Sequence, residues 1–279
     1  MRLAIRKRDA IPEKNCAGCE DFCCAFFCNS CTQCMILRHE CKGNYSITSP
    51  TGVVNPVEAL VAAMRERGVD TLVDGAHAPG MLPLQLDRLG AAYYTGNCHK
   101  WLCTPKGSAL LHVRRDRQAD VRPLVVSHGA NSAREDRSRF RLEFDFCGTD
   151  DYTPFLCVPA ALRFLERLMP GGVEALQQHN HDLALAGREL LCQALGTAAP
   201  TPESMIGSLA SVVLRWSDEP LIQPQGLDPL QLTLWNHHQV EVPVMRWPAP
   251  KLRLLRISPQ AYNDIGQYAH LADLLKTHV

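Results

Sequence analysis

Two short segments of the chain carry side chains that suit chemistry on a small organic molecule. The first, VDGAHAPGMLPL, contains Asp74 and His77, and the second, TGNCHKWLCTPKG, contains His99 and Lys100. Pyridoxal-phosphate (PLP) chemistry needs a lysine amine that forms an imine and an acid beside the pyridine nitrogen. Asp74 and Lys100 supply both groups, on the condition that the carboxylate and the ε-amine face one another across a single ring.

Each of these residues also has an ordinary interpretation when it is taken alone. An aspartate after a strand often caps a turn or a helix, and a lone lysine is usually a solvated surface group. Only a desolvated lysine with a lowered pKa becomes an amine nucleophile. The combination within one local sequence is what favours a cofactor site.

The elements around these segments alternate between helix and strand. Apolar spacing predicts a helix over residues 56–68 and strands over residues 71–73, 91–95 and 108–113. This alternation favours an α/β fold with a mostly parallel sheet covered by helices. The candidate polar groups then follow strand ends, where such a sheet builds its site.

A second group of elements is predicted beyond residue 154. Helices over 155–169 and 173–195 look like a bridge, and a smaller α/β domain follows them, with strands over 209–216, 240–244 and 251–257 and helices over 228–238 and from 263. We therefore expect three regions: a Cys-rich segment over 1–45, a partial large domain over 46–160, and bridging helices with a small C-terminal domain over 161–279.

The Asp-x-x-His and His-Lys-Trp arrangement, followed by Pro105-Lys106-Gly107, resembles the pattern of class V aminotransferases, and the likeness covers most of residues 46–279. Isopenicillin N epimerase-like and cysteine desulfhydrase-like members resemble it most. The resemblance implies the PLP-dependent type I aminotransferase fold and pyridoxal 5'-phosphate as cofactor. It makes Lys100 the Schiff-base lysine and pairs Asp74 with the pyridinium nitrogen.

The resemblance also implies the other contacts of the cofactor. His77 would lie near the 3-oxygen of the ring and His99 beside the phosphate. Ser49 and Thr51 stand in Ser-Pro-Thr, where relatives carry a polar residue beside the ring. Thr149, in Phe-Cys-Gly-Thr-Asp, resembles the family's threonine that reaches the phosphate of the partner subunit, which implies a homodimer.

One arginine near the end of the chain is expected to bind the substrate's α-carboxylate through two parallel hydrogen bonds. Arg256 begins a stretch that resembles the family's RxS…YN segment, and Arg253 competes with it. The two are an odd number of positions apart, so on a strand they point to opposite faces. Motif position favours Arg256, and an exposed strand arginine is the ordinary explanation for either.

The resemblance implies an enzyme that acts on a small amino acid through aldimine and quinonoid intermediates. Epimerase, lyase of the desulfhydrase type and aminotransferase all stay open, because one intermediate feeds all three. A desulfurase is disfavoured, because no cysteine with small-residue flanks matches its mobile-loop cysteine. Cys192, for example, stands between Leu and Gln within a predicted helix.

The first 45 residues do not resemble the phosphate-binding region that family members carry before the Ser-Pro-Thr segment. An N-terminally truncated member is therefore expected, and a catalytically inactive homologue that retains the fold core is the alternative. Eight of the thirteen cysteines fall in this segment, namely Cys16, Cys19, Cys23, Cys24, Cys28, Cys31, Cys34 and Cys41. Their CxxC spacings suit zinc or an iron–sulfur cluster, so a metal-binding adaptor is a further alternative, although the candidate active site itself predicts no metal.

Composition narrows the class of partner. The chain has 29 basic and 29 acidic residues, so no overall field attracts nucleic acid. No stretch approaches the roughly 20 apolar residues that a bilayer span needs, and the charged start does not resemble a secretory signal. A cytoplasmic location is expected, and the basic opening leaves an organelle open.

Overall fold

Seven strands, formed mainly by short apolar runs, make two sheets in the part of the chain that the computed structural model describes. That part comprises residues 43–222 and 226–279, with only the backbone described for 43–45. One unit extends over Asn44–Val279. The strands are β1 (Gly43–Tyr45), β2 (Leu72–Asp74), β3 (Tyr93–Asn97), β4 (Ala109–Val113), β5 (Ala210–Leu214), β6 (Val244–Arg246) and β7 (Arg253–Ile257).

Eight α-helices of the described residues cover or connect these strands. They are α1 (Val57–Glu66), α2 (Leu86–Leu89), α3 (Arg139–Phe144), α4 (Thr153–Leu156), α5 (Val158–Arg167), α6 (Gly172–Leu195), α7 (Pro229–His238) and α8 (Ile265–His278). No helix of this set is long and apolar enough to cross a bilayer. The Cys-rich segment lies outside the described residues apart from β1, and the boundary at residue 161 stays a prediction.

The first sheet has the order β1-β2-β3-β4, and it positions the candidate site. β2 and β3 run parallel, with Asp74 opposite Thr95, and β4 pairs with β3 in the antiparallel direction. Val73 and Tyr94 lie in one buried cluster with Val61 of α1. Because β2 and β3 run parallel, both strands end at the same edge of the sheet. Asp74 ends β2 at this edge, and Lys100 follows the end of β3 there.

The second sheet has the order β5-β7-β6, and both of its pairs are antiparallel. Its apolar face packs with α6, α7 and α8 in a single cluster that includes Leu255, Leu234 and Leu275. These three leucines have no measurable exposure, and burial of each side chain contributes about 2 kcal/mol. This cluster is the largest buried core of the described residues.

Local capping explains where the long helices begin and end. α6 begins after Gly171 and ends at Gly196, and both glycines have left-handed backbone angles that other residues rarely adopt. Asp228 caps α7 by accepting from Leu230 N at 3.0 Å, and Asp264 forms a capping box with Gln267 at the start of α8. The predictions of these three helices are confirmed.

Two predicted elements differ from the structure. The helix predicted over 155–169 is divided between α4 and α5, because Pro159 has no N–H to donate to the preceding turn. The strand predicted over 240–244 is β6, which begins only at Val244. Val240 N donates to Leu234 O at 3.0 Å and thereby closes the end of α7, so it is not available to the sheet.

Candidate active site

Asp74 is the last residue of β2, and its surroundings fix the turn that follows. Its Oδ1 accepts from Ala76 N at 2.9 Å, and Gly75 N donates to Thr95 O at 2.8 Å across the parallel pair. The chain then turns, with Ala78 N bonded to Gly75 O at 2.9 Å. His77 lies in this turn, so the end of β2 sets its position.

Lys100 follows β3 and meets this turn directly. Its Nζ lies 3.2 Å from Nε2 of His77. Burial lowers the pKa of Lys100 below its ordinary value, the Asp74 carboxylate opposes this shift, and Arg256 adds to it. Lys100, Asp74, His77 and Arg256 are therefore close enough to interact electrostatically.

His77 is held as a neutral imidazole. Burial lowers its pKa to about 4, and the charges of Lys100 and then Arg256 act in the same direction. Nε2 faces the Lys100 amine, and the tautomer of the ring decides which of the two groups donates. The other ring nitrogen, Nδ1, is buried and has no hydrogen-bond partner among the described residues. The neutral ring thus leaves one nitrogen unpaired inside the described site.

Close backbone packing holds the His77 turn against the Lys100 loop. Gly80 has φ +87°, and a Cβ there would lie 2.5 Å from the carbonyl oxygen of Trp101. Only glycine fits this approach. Trp101 itself packs on the cluster of Ile47, Ala78, Met81 and Leu209. The separation between His77 and Lys100 is therefore set by two packed loops.

The Ser49–Thr51 segment is the tip of a tight hairpin. Thr48 N donates to Val53 O at 3.0 Å, and Gly52 N donates to Thr48 O at 2.9 Å. Gly52 has φ +68°, and a Cβ there would lie 2.8 Å from the Cβ of Leu209. The Thr51 hydroxyl bonds to that of Thr48. The hairpin therefore presents Ser49 in a defined position.

Arg256 of β7 reaches this hairpin. Its Nη1 donates to the carbonyl oxygen of Ser49 and lies 3.4 Å from Ser49 Oγ. Burial lowers the pKa of the guanidinium, and Nε is buried without a partner in the described chain. Ser211, opposite Arg256 in the sheet, donates to Pro50 O at 3.2 Å. The second sheet thus contributes Arg256 to a site built mainly from the first.

Arg253 lies in a different environment. Its Nε donates to Arg215 O at 2.8 Å, and its Nη1 lies 3.6 Å from Asp228 Oδ1. Asp228 is fully buried and also pairs with Arg246 at 2.7 Å. Arg253 therefore belongs to a buried ion-pair network that ties β6 and β7 to the start of α7.

Two other predicted residues are not joined to the Lys100–His77 pair by any bond among the described residues. The Nδ1 atom of His99 lies 3.1 Å from Ser108 O, towards β4. Thr149 is exposed, and its side chain bonds to no other described residue. The turn that carries Thr149 is held by Tyr152, whose hydroxyl donates to Gly148 O at 2.6 Å.

Tyr94 is a neighbour of the site that the sequence patterns did not single out. Its hydroxyl occupies the space that a Cβ of Gly75 would need, at 1.9 Å from that position. The hydroxyl is buried and unpaired among the described residues. Burial raises the pKa of Tyr94 to about 12, and the charge of Asp74 adds to this. The glycine directly after Asp74 was the only sequence signal of this close approach.

Three polar residues of α6 were also missed, and each bonds to a different loop around the site. Gln177 Nε2 lies 3.4 Å from Gly80 O, and Asn180 Nδ2 donates to Gln260 Oε1 at 2.8 Å. His181 Nδ1 lies 3.1 Å from Gly207 O. At positions i, i+3 and i+4 these residues share one helix face. Their spacing along the helix was the only sequence signal, and the other polar residues of α6 obscured it.

The donor set fits a cofactor that combines a carbonyl carbon with an aromatic nitrogen base. Lys100 offers an amine of lowered pKa and Asp74 a carboxylate, while the buried Nδ1 of His77 and Nε of Arg256 have no partner in the described part of the chain. Three or more metal-ligating side chains do not converge anywhere in the described residues. The donor set of the described site therefore suits an organic cofactor.

Comparison with known proteins agrees with this chemistry. The family model described as Aminotransferase class-V matches residues 45–265. The chain is 35% identical to isopenicillin N epimerase of Amycolatopsis lactamdurans over 243 residues, which is 82% of the chain and 58% of the relative. It is 33% identical to putative L-cysteine desulfhydrase 1 of Oryza sativa subsp. japonica over 249 residues, 81% of the chain and 49% of the relative. The chain therefore spans about half the length of these curated relatives.

Solved structures show the same fold. The apo cysteine desulfurase of Thermococcus onnurineus NA1 superposes with a TM-score of 0.66 at 18% identity, over 85% of this chain and 59% of that chain. The cystine C-S lyase C-DES, in complex with cysteine persulfide, gives 0.64 at 22% identity, over 84% and 60%. The predicted α/β fold of the type I aminotransferases is confirmed.

Proposed function

The chain belongs to the class-V aminotransferase family, and on that premise we propose that it binds PLP through Lys100 and acts on a small amino acid. The observation that carries the proposal is the meeting of Lys100 Nζ and His77 Nε2 at 3.2 Å, beside Asp74 and in a place that lowers the pKa of the amine. Relatives named epimerase and desulfhydrase support chemistry at an amino acid. Epimerase, lyase and aminotransferase outcomes all remain open to this site.

Each residue has a role that follows from its own chemistry. PLP, when bound, withdraws electrons from the Cα atom of the amino acid. The lowered pKa of Lys100 leaves more of its amine unprotonated, so Nζ would hold the cofactor through its carbonyl carbon, and the amine, once released by the substrate's amino group, would be the base for the Cα proton. The Asp74 carboxylate would keep a proton on the pyridine nitrogen. Neutral His77 would bond to the ring oxygen without adding a charge.

Arg256 is the residue that we assign to the substrate's α-carboxylate. Its Nη1 already donates to the Ser49 carbonyl, whereas its buried Nε has no partner among the described residues. A carboxylate can therefore take two parallel hydrogen bonds from Nε and Nη2 while Nη1 keeps its contact with Ser49. We assign Ser49 and Thr51 to the face of the ring, and His99 to the phosphate.

Thr149 completes the proposed site only in a homodimer. Its exposed position on a turn that is held by Tyr152 suits a hydroxyl that reaches a phosphate in a second copy. Large apolar side chains are also exposed in this part of the chain, including Leu124, Val126 and Leu156. Burial of such side chains is the usual basis of a permanent dimer.

An inactive homologue is the second candidate, because the chain spans only 49–58% of the relatives above. In that case the chain retains the fold and binds no PLP. The metal-binding adaptor depends on cysteines outside the described residues and, like the cytoplasmic location, stays a prediction.

Addition of PLP to the purified full chain separates these candidates. We expect a visible imine absorption band, and borohydride reduction followed by peptide mass spectrometry should place the cofactor on Lys100. Lys100→Ala should lose both signals, whereas the control Lys106→Ala, at an exposed lysine of the same loop, should keep them. A folded chain without the band supports the inactive homologue. An unchanged band in Lys100→Ala refutes the assignment of the lysine.

The homodimer has its own test. Light scattering should give twice the chain mass for the PLP-loaded protein, and Thr149→Val should weaken PLP binding while the dimer persists. A PLP-loaded monomer would contradict the shared site and leave the Lys100 assignment unaffected.

A further inference from the structure

Two histidines meet on the surface of the C-terminal part of the chain, away from the proposed active site. His238 is the last residue of α7, and His278 is the last residue of α8. Their Nε2 atoms are 3.0 Å apart, and the ring centroids are 5.0 Å apart with planes tilted by 58°. Neither ring bonds to any other group in the described residues. We propose that this pair is a binding site for a divalent transition-metal ion of the nickel, copper and zinc class.

The separation of the two nitrogens is the first argument. Imidazole nitrogens bind such ions at about 2.1 Å, so two adjacent ligands lie about 3.0 Å apart in octahedral geometry and about 3.4 Å apart in tetrahedral geometry. The observed 3.0 Å therefore needs little or no movement of either ring. Both rings are reached by solvent, so water supplies the remaining ligands.

The framework under the pair is rigid, which lowers the entropic cost of binding. Leu234 of α7 and Leu275 of α8 have no measurable exposure and lie in one core cluster. They precede the two histidines by one helical turn, at positions i−4 and i−3. The two helix ends are thus held together by packing, and a metal ion does not have to bring them together.

The electrostatic environment also favours a cation. The carbonyl groups at the ends of both helices give this place a negative partial charge. Lys276, the lysine in the last turn of α8, is paired with Asp273 at 2.9 Å. A bound ion would therefore link the ends of α7 and α8 and stabilise the core between them.

Nickel chloride is a suitable probe, because Ni²⁺ prefers imidazole ligands and octahedral geometry. Calorimetric titrations would compare the full chain with His238→Ala, His278→Ala and the control His237→Ala, whose side chain is exposed on the same helix end. The thiols of residues 16–41 are the same in all four proteins, so differences between the titrations report the histidines. We expect each of the first two variants to lose one Ni²⁺ ion or bind it roughly tenfold or more weakly. The control should behave as the original chain.

Thermal unfolding gives the second measurement. Ni²⁺ should raise the Tm of the original chain and of His237→Ala, and this increase should disappear in His278→Ala. Melting without metal shows whether each variant is folded, and His278→Gln replaces His278→Ala if the latter is not. Equal Ni²⁺ binding in all folded variants would overturn the proposal. A Tm that falls in the variants but never responds to Ni²⁺ would show a hydrogen-bonded pair only.

Discussion

The buried neutral state of His77 should make the cofactor-free protein lose stability between pH 6.5 and pH 4. The unfolded chain has an ordinary histidine pKa of about 6.5, whereas burial and the neighbouring charges lower the pKa of folded His77 to about 4. Between these values the unfolded state binds a proton that the folded state does not bind. The free energy of unfolding therefore rises with pH across this window and is flat, for this group, above it.

The size of the effect follows from the same two values. Each pH unit between them corresponds to about 1.4 kcal/mol, which gives an upper bound of about 3 kcal/mol for complete protonation. Solvent reaches part of the His77 ring, so screening reduces this, and we expect about 1–2 kcal/mol by pH 4.5. A fall of that size is a large share of the stability of an ordinary domain.

Urea unfolding of the cofactor-free chain at several pH values between 4.5 and 7.5 measures this dependence. His77→Gln should remove about 1–2 kcal/mol of the fall between pH 6.5 and pH 4.5. Lys100→Met removes the second cause of the low pKa and should shift the midpoint of the fall to higher pH. The control His270→Gln changes an exposed histidine of α8. An unchanged pH profile in His77→Gln would refute the inference that the folded site excludes the imidazolium.

Further predictions concern packing and buried charge. Gly75→Ala places a Cβ at 1.9 Å from the Tyr94 hydroxyl, so it should cost about 1–3 kcal/mol in urea unfolding, and the double variant with Tyr94→Leu should regain part of the loss. Full stability in Gly75→Ala would contradict the observed approach. Asp228→Ala leaves the buried Arg246 without its carboxylate and should cost about 3–5 kcal/mol. The control Asp218→Ala removes an exposed ion pair and should cost less than about 1 kcal/mol. Equal losses of stability in the two variants would contradict the larger cost that we assign to the buried pair.

The sequence predicted those parts of the fold that local physics decides. Apolar spacing predicted α6, α7 and α8, and the structure shows that capping residues and glycines within one turn of the helix ends support the same bounds. Short apolar runs predicted β2 and β4 within about two residues. The position of β6 was not predictable, because Val240 completes the end of α7 while its apolar pattern also fits a strand.

The candidate site shows the same division between local and long-range information. That Asp74 and Lys100 follow the ends of strands was predicted, since the apolar runs and the motif spacing are both visible in the chain, whereas the pairing of these two strands was not. The contact of Ser49 with Arg256 spans 207 positions, and the approach of Tyr94 to Gly75 depends on the pairing of two strands. No local pattern encodes such distances. The catalytic and binding roles of these residues stay predictions that the PLP experiment tests.

Helix α6 adds a second link between the two sheets, besides the bonds of Arg256 and Ser211 to the Ser49–Thr51 hairpin. The first sheet positions His77 and Lys100, the second positions Arg256, and the three polar residues Gln177, Asn180 and His181 each bond to a loop next to one of these groups. Because the three bonds arise from one face of a rigid helix, a displacement of one loop is opposed by the other two. An apolar face would bury as much surface, but it would leave the loops free to slide, since hydrophobic contact has no direction. The three polar side chains on this face of α6 therefore help to fix the spacing between Arg256, the proposed carboxylate-binding residue, and Lys100.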